Sequence, residues 1–322
     1  MGARGYDSKG VLLKPITFHL RPIPPFRLDF TVWTLRRRPE NFWDHWDGTK
    51  YRRGLVLNGN PIAIEVVQTD SPDHPVLKIT AWCQRMDPAC RCQLKPFISR
   101  VLGINTDFSA FYAMAARNKK LGILAKKFRG MKPPCYPSLF EALVNAITCQ
   151  QFTLTAGIRL LGRLVAHCGD LAPGPDGPLH AFPGPRALSQ LKREDLRAFG
   201  FSWQKAQALV ELALLVKEGK WDSAILSSLD DEQALQELRD LRGVGRWTAE
   251  YALLRGQGRI HIFPGDDVGV RNHLRKWLNP LKSLDYEDTR KILEKWKPFG
   301  GLIYFHLLLN NLAEKGYVKE NR

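Results

Sequence analysis

Leu241-Arg242-Gly243-Val244-Gly245-Arg246-Trp247-Thr248-Ala249-Glu250-Tyr251, followed about twenty residues later by Phe263-Pro264-Gly265-Asp266-Asp267, decides how this chain is read. Upstream, residues 231–240 have helical spacing, with Leu235 and Leu238 on the inner face. Downstream, residues 247–254 read as a second helix. Between them stand two glycines one residue apart, with only Val244 bulky. Such a hairpin starts its second helix with exposed backbone N–H groups, and glycine lets another backbone come close. N–H groups at a helix start bind anions, and for a basic protein the natural anion is a nucleic-acid phosphate. The glycine pair alone is a weak signal. Hairpin, Arg-Trp-Thr-Ala and the spaced Pro-x-Asp-Asp together form a specific one.

The rest of the composition agrees. A chain of 322 residues is long enough for a large core and two or three domains, and 44% apolar residues is ordinary for a globular protein. Charge is the outlier: 48 Lys+Arg against 32 Asp+Glu gives +16. A polyanionic partner follows (DNA, RNA or an anionic membrane surface), against the plainer alternative that the charge serves solubility. No apolar run approaches a membrane span, the first residues lack the apolar core of a signal peptide, and Tyr6 stands where a myristoylation signal needs Ser or Thr. Six cysteines make no disulfide framework, so an intracellular setting is expected, cytoplasm or nucleoid in a prokaryote. Cys83, Cys90 and Cys92 lack a fourth nearby ligand, and no cysteine follows Cys168. No metal centre is expected.

Taken in order, residues 1–25 read as a polar, Pro-rich extended lead-in, and 26–32 alternate as a half-buried strand would, a short helix being the other option. Strands are expected at 51–57, 61–68 and 75–82, with Asn58-Gly59-Asn60 as a hairpin turn and 39–46 and 94–102 as covering helices. Arg36-Arg37-Arg38 reads as a solvated edge, or a phosphate contact. From about residue 106 the chain reads as helical, over 108–117, 120–128, a long helix capped by Ser138, 154–167, 188–199, 203–217, the hairpin, 268–278, 286–296 and 302–312. The fold class is therefore α+β. Residues 1–105 form a small antiparallel sheet domain beside a mostly helical body at 106–322, with the hairpin at about 231–256.

This order resembles the 3-methyladenine DNA glycosylase II family of the helix-hairpin-helix glycosylase superfamily. The resemblance runs from about residue 16 to 312 and includes Phe182-Pro183, Lys205-Ala206 and Trp296-Lys297-Pro298. It implies a helical body of two lobes with the active cleft between them. It also implies monofunctional hydrolysis of the N-glycosidic bond of alkylated purines in damaged double-stranded DNA by a monomer. No organic cofactor is expected, though the hairpin carbonyls of the family can hold a monovalent cation. A glycosylase for oxidised or deaminated purines and a non-catalytic DNA binder are the rival readings.

Individual residues acquire roles on the same terms. An aspartate before a helix is often only an N-cap, and Asp266 and Asp267 both precede one. The resemblance makes Asp267 the catalytic acid, because a carboxylate beside an oxocarbenium-like sugar stabilises its charge or activates water. Trp247 and Tyr251, four apart, share a helix face and become base-pocket walls rather than plain core. Glycosylases that also cut the strand have a lysine at the position of Trp247, and tryptophan forms no Schiff base. Gly243, Gly245, Arg246 and Thr248 would meet the DNA backbone. Gln150 and Gln151, which interrupt an apolar helix, match the wedge that fills the gap left by a flipped base, where the close pattern has leucine. Val268 and Leu308 replace family aromatics. His306 fits a family histidine, although a lone histidine on an apolar helix is usually core.

Overall fold

The computed structural model describes residues 5–6, 12–13, 15–84, 87–279 and 283–319; residues 1–4, the opening of the expected lead-in, lie outside these. Two-residue strands β1 (Gly5–Tyr6) and β2 (Leu12–Leu13) pair antiparallel. The five strands β3 (Ile16–Leu20), β4 (Asp44–Trp46), β5 (Lys50–Leu57), β6 (Asn60–Gln68) and β7 (Leu77–Cys83) form one antiparallel sheet, ordered β3-β7-β6-β5-β4. At the β5–β6 turn Leu57 faces Asn60, and Asn58 (φ 49°) and Gly59 (φ 77°) both lie in the left-handed region. Asn-Gly is the pair that adopts this tight turn at least cost.

Two expectations fail in this half, and a third resolves to its alternative. The lead-in supplies strand β3, which pairs with β7 through Thr17 opposite Thr80. Residues 39–46 form a loop and the short edge strand β4, whose Asp44 pairs with Arg53 of β5. Residues 26–32 contribute to helix α1 (Leu28–Arg36). Leu28, Val32 and Leu35 of α1 enter the core under the sheet, while Phe30 and Trp33 enter the helical core on the other side. A helix buried on both faces shows no one-sided periodicity, and that is why its pattern resembled a strand. Helix α2 (Pro88–Val101), capped by Asp87 accepting from Cys90 N at 2.7 Å, covers the sheet as expected.

The helical body is α3 (Ser109–Ala116), α4 (Lys119–Lys127), α5 (Leu139–Cys149), α6 (Leu154–Cys168), α7 (Pro185–Leu188), α8 (Arg193–Phe199), α9 (Trp203–Lys217), α10 (Asp231–Arg239), α11 (Arg246–Ala252), α12 (Val268–Leu278), α13 (Tyr286–Glu294) and α14 (Gly300–Glu314). The single helix expected over 188–199 is two short ones, broken at residues 189–192. One lobe packs α5 to α11 around Leu143, Leu161, Leu209 and Leu253. The other joins α1, α3 and α4 to α12, α13 and α14 around Phe111, Phe128, Leu274 and Phe305. All three cores meet at α11. Tyr251 belongs to the sheet core, Ala249 and Ala252 to the first lobe, and Leu254, in the π turn Leu253–Gln257 that ends the helix, to the second.

Candidate active site

The hairpin between α10 and α11 is built as its sequence suggests. Gly243 lies at φ 78°, and a Cβ there would come within 2.9 Å of the Ala208 Cβ, so the chain itself requires this glycine. Gly245 is different: its φ is −91° and a Cβ would meet nothing within 4 Å. The second glycine leaves open space that the protein does not fill. No side chain caps α11, and its first backbone bond runs from Ala249 N to Gly245 O at 3.0 Å. The N–H groups of Arg246, Trp247 and Thr248 therefore lack intrahelical acceptors.

The side chains of two candidate DNA-backbone residues are already engaged. Arg246 Nε donates to Asp266 Oδ2 at 2.6 Å, and the guanidinium lies 3.9 Å over the Tyr286 ring. Thr248 is buried, and its Oγ1 accepts from Gln150 Nε2 at 2.8 Å. The same Gln150 amide donates to the Gly243 carbonyl at 2.8 Å. Gln150 is thus a brace between the end of α5 and the hairpin. Gln151, exposed at φ 55°, is left as the projecting member of the pair. Lys205 Nζ holds this bend by donating to Thr148 O at 2.9 Å and Gln150 O at 2.6 Å, with its ammonium 3.9 Å from the Phe152 ring.

Asp267 serves two neighbours at once. Its Oδ1 caps α12 by accepting from Val270 N at 3.0 Å, and its Oδ2 accepts from Trp247 Nε1 at 3.3 Å. The N-cap and the cleft-facing reading are both true, one per oxygen. From Trp247 the site continues inward: its ring lies 5.5 Å from that of Tyr251, tilted by 39°. The buried Tyr251 hydroxyl accepts from Arg37 Nη1 at 2.8 Å and shares a 3.0 Å bond with Tyr136. These groups border a cavity of about 380 Å³ between the lobes, lined also by Arg38, Phe152, Val268, His273, Tyr304, Leu308, Asn311 and Lys315. Asp267 is its one carboxylate among the described residues. Burial, the largest influence, holds His273 below the usual histidine range, so it is neutral near pH 7.

The sequence reading missed several lining groups. Phe152, 45% exposed beside Gln151, is an aromatic at the cleft mouth whose accessibility only the fold reveals. Arg36-Arg37-Arg38 is no solvated edge. Arg36 donates to Pro39 O at 3.0 Å and packs over the Trp33 ring at 4.8 Å, and Arg37 is 3% exposed. The run ends a helix wedged between two cores, and that position turns its middle member inward. His306 is a core residue outside the cavity, its Nδ1 2.8 Å from Leu302 O, and burial pushes it down to about 4.

A hairpin with an open glycine, joined through Trp247 to a carboxylate at the edge of an interlobe cleft, defines a DNA-repair glycosylase class. Residues 144–299, which carry this hairpin and acid, match the model of the HhH-GPD superfamily of base excision DNA repair proteins. Among relatives, DNA-3-methyladenine glycosylase of Bacillus subtilis strain 168 is 27% identical over 217 residues, 67% of this chain and 72% of the relative. DNA-3-methyladenine glycosylase 2 of Escherichia coli K12 is 29% identical over 191 residues, 59% of this chain and 64% of the relative. Among solved structures, 3-methyladenine DNA glycosylase from Archaeoglobus fulgidus superposes with a TM-score of 0.79 at 24% identity, covering 92% of this chain and 98% of that one. The antiparallel sheet beside a helical body is the fold this chain shares with that structure.

Proposed function

We propose that this protein is a monofunctional DNA glycosylase that hydrolyses the N-glycosidic bond of alkylated purines, of the 3-methyladenine kind, in double-stranded DNA. The observation that carries this reading is the Asp267 carboxylate at the cleft edge, hydrogen-bonded to the Trp247 indole at 3.3 Å. The acid stands where an extruded nucleotide would bring its sugar, and tryptophan occupies the position that would otherwise offer an amine. The N–H groups at the start of α11 would receive phosphate, with the open side of Gly245 admitting the backbone. Gln151 would fill the gap left in the duplex, and Trp247 and Tyr251 would wall the base. Developing positive charge on the sugar is stabilised by Asp267, which also orients the attacking water.

A monovalent cation at the hairpin would be held by backbone carbonyls, and those of Gly243 and Leu241, which accept from Gln150 Nε2 and from Val244 N at 3.1 Å, each keep a second lone pair for it. No step here passes through one. The rival of a non-catalytic DNA binder would use Asp267 only as the cap of α12, leaving its Oδ2 at the cleft edge without a role. Incubating the purified protein with methylated DNA and chromatographing the released bases tests the reading. Free 3-methyladenine and 7-methylguanine are expected, with strands intact until heat or alkali and no adduct trapped by borohydride. A trapped covalent complex would end the monofunctional reading, and preferential release of 8-oxoguanine would replace the substrate class.

A further inference from the structure

The closed end of the cleft holds a cation that, among the described residues, no carboxylate touches. Arg37 is 3% exposed, and its side chain donates to the Tyr251 hydroxyl at 2.8 Å and the Asn145 side-chain oxygen at 2.8 Å and also bonds the Cys149 thiol, all neutral groups. Among the described residues it makes no ion pair within 4 Å, the Glu141 carboxylate acting on it only from farther away, and its Nε finds no hydrogen-bond partner. Arg255, fully buried, lies 5.6 Å from the same Tyr251 ring and 5.1 Å from the Tyr136 ring. Guanidinium does not deprotonate in proteins, so these charges are permanent. Leaving a buried charge without a counter-ion is costly, and the aromatic faces of Tyr136 and Tyr251 recover only part of that cost. Arg37 also sits at φ 62°, an uncommon conformation for a residue with a Cβ. The chain sustains both penalties at a group that lines the cleft.

The order of groups across the cleft gives this cation a direction. Asp267 touches Trp247, Trp247 stacks near Tyr251, and Tyr251 accepts from Arg37. A negative end at the acid and a positive end at the arginine therefore flank the one face, formed by Trp247 and Tyr251, against which the base would lie. We propose that Arg37 acts through this field to draw the bonding electron pair onto the departing base, and so extends the enzyme's range to neutral purines. This rests on the reading of the cleft as a purine pocket. When the C1′–N bond breaks, its electron pair goes to the base nitrogen and positive charge appears on the sugar beside Asp267. Water then bonds to C1′ and gives up one proton. A cationic alkylpurine departs as a neutral base, and that proton goes to solvent. A neutral purine departs with the charge of an anion and regains one proton from solvent. In both cases the base becomes more negative by one charge as the bond breaks, and that change occurs next to the guanidinium. The two substrates differ in the ground state: Arg37 repels a base that is already cationic and is indifferent to a neutral one.

Single-turnover release from duplexes carrying one hypoxanthine or one 7-methylguanine separates these effects. Arg37→Gln should slow the release of hypoxanthine at saturation by about thirtyfold, the scale of one charge acting across several ångströms at an intermediate dielectric, with half-saturation unchanged. For 7-methylguanine the same variant should slow release and also lower the half-saturating concentration, so that the ratio of the two changes less. Arg37→Lys, which keeps the charge, should recover most of the hypoxanthine rate. Equal losses for both bases in both parameters, or failure of lysine to rescue, would overturn the proposal in favour of a purely structural Arg37. If Arg37→Gln does not fold, the folded wild type still decides. Across neutral purine analogues of graded N9 acidity, its release rate should depend on leaving-group acidity less steeply than hydrolysis in solution, and an equal slope overturns the proposal. A wild-type protein that releases neither base removes the purine-pocket reading itself, and the inference with it.

Discussion

At Asp267, capping and chemistry are divided between two oxygens, so they can be separated by substitution. The side-chain amide of an Asp267→Asn variant would still offer an oxygen to Val270 N, and asparagine caps as well as aspartate does. That variant should melt like the wild type and bind abasic DNA nearly as well, yet release no base. Asp267→Ala should lose release and also about 1 kcal/mol of stability, read by urea denaturation. Near-normal base release by Asp267→Asn would pass the catalytic role to another group, Asp266 being next in line. Asp267 and Trp247 were legible in the sequence because their motif fixes both identity and spacing. Arg37 was not, since three consecutive arginines normally lie in solvent. What turns Arg37 inward is the burial of α1 on both sides, a property of distant segments that no local window contains.

Among elements, the hairpin makes opposite demands of its two glycines. Gly243→Ala forces a left-handed backbone on alanine and a clash with Ala208, and should cost about 1–2 kcal/mol in thermal denaturation. Gly245→Ala meets no atom of the protein and should leave stability almost unchanged. It should instead weaken binding to every duplex alike, because phosphate contacts carry no sequence information. A sequence-dependent loss would assign the hairpin to base reading. Behind the hairpin, Tyr286 of α13 donates to Glu250 Oε1 of α11 at 2.7 Å, and burial, the largest influence, lifts the Glu250 carboxyl to about 7. The unfolded chain releases this proton near the ordinary value, the folded one only near 7. Between roughly pH 4.5 and 7 the folded state thus binds more protons, and stability falls as pH rises through that window. Glu250→Gln should flatten this part of the profile, gaining on the order of 2 kcal/mol over the wild type at pH 8 relative to pH 4.5. Parallel profiles for the two proteins would refute it. The antiparallel ladder and most helix positions were readable from alternation, caps and glycine stops. Helix α1 and edge strand β4 were not, because the first is buried on both faces, its threonines included, and the second is too short to show a period.

For the molecule as a whole, the sheet and helical body are stapled by one buried arginine. Arg53 of β5 donates to Asp44 at 2.6 Å and to both oxygens of Glu141 in α5, at 2.6 and 2.7 Å. Removing one partner strands charge in the interior, so Glu141→Ala should cost roughly 3 kcal/mol and lower the melting temperature by several degrees. A change within about half a kcal/mol would mean water replaces the carboxylate. This staple joins positions 88 residues apart, a pairing the sequence does not announce. The second lobe is more scattered still, assembled from α1, α3 and α4 and then from α12 to α14. Its final helix supplies Tyr304, Leu308 and Asn311 to the cleft wall. During synthesis, then, the hairpin and Asp267 leave the ribosome while that wall is still being made. Chains paused there would carry an uncapped helix start without a closed pocket, and an apolar trough between α1 and α4 awaiting its cover. The cleft is therefore walled only once α14 docks, after every other element that lines it has been made.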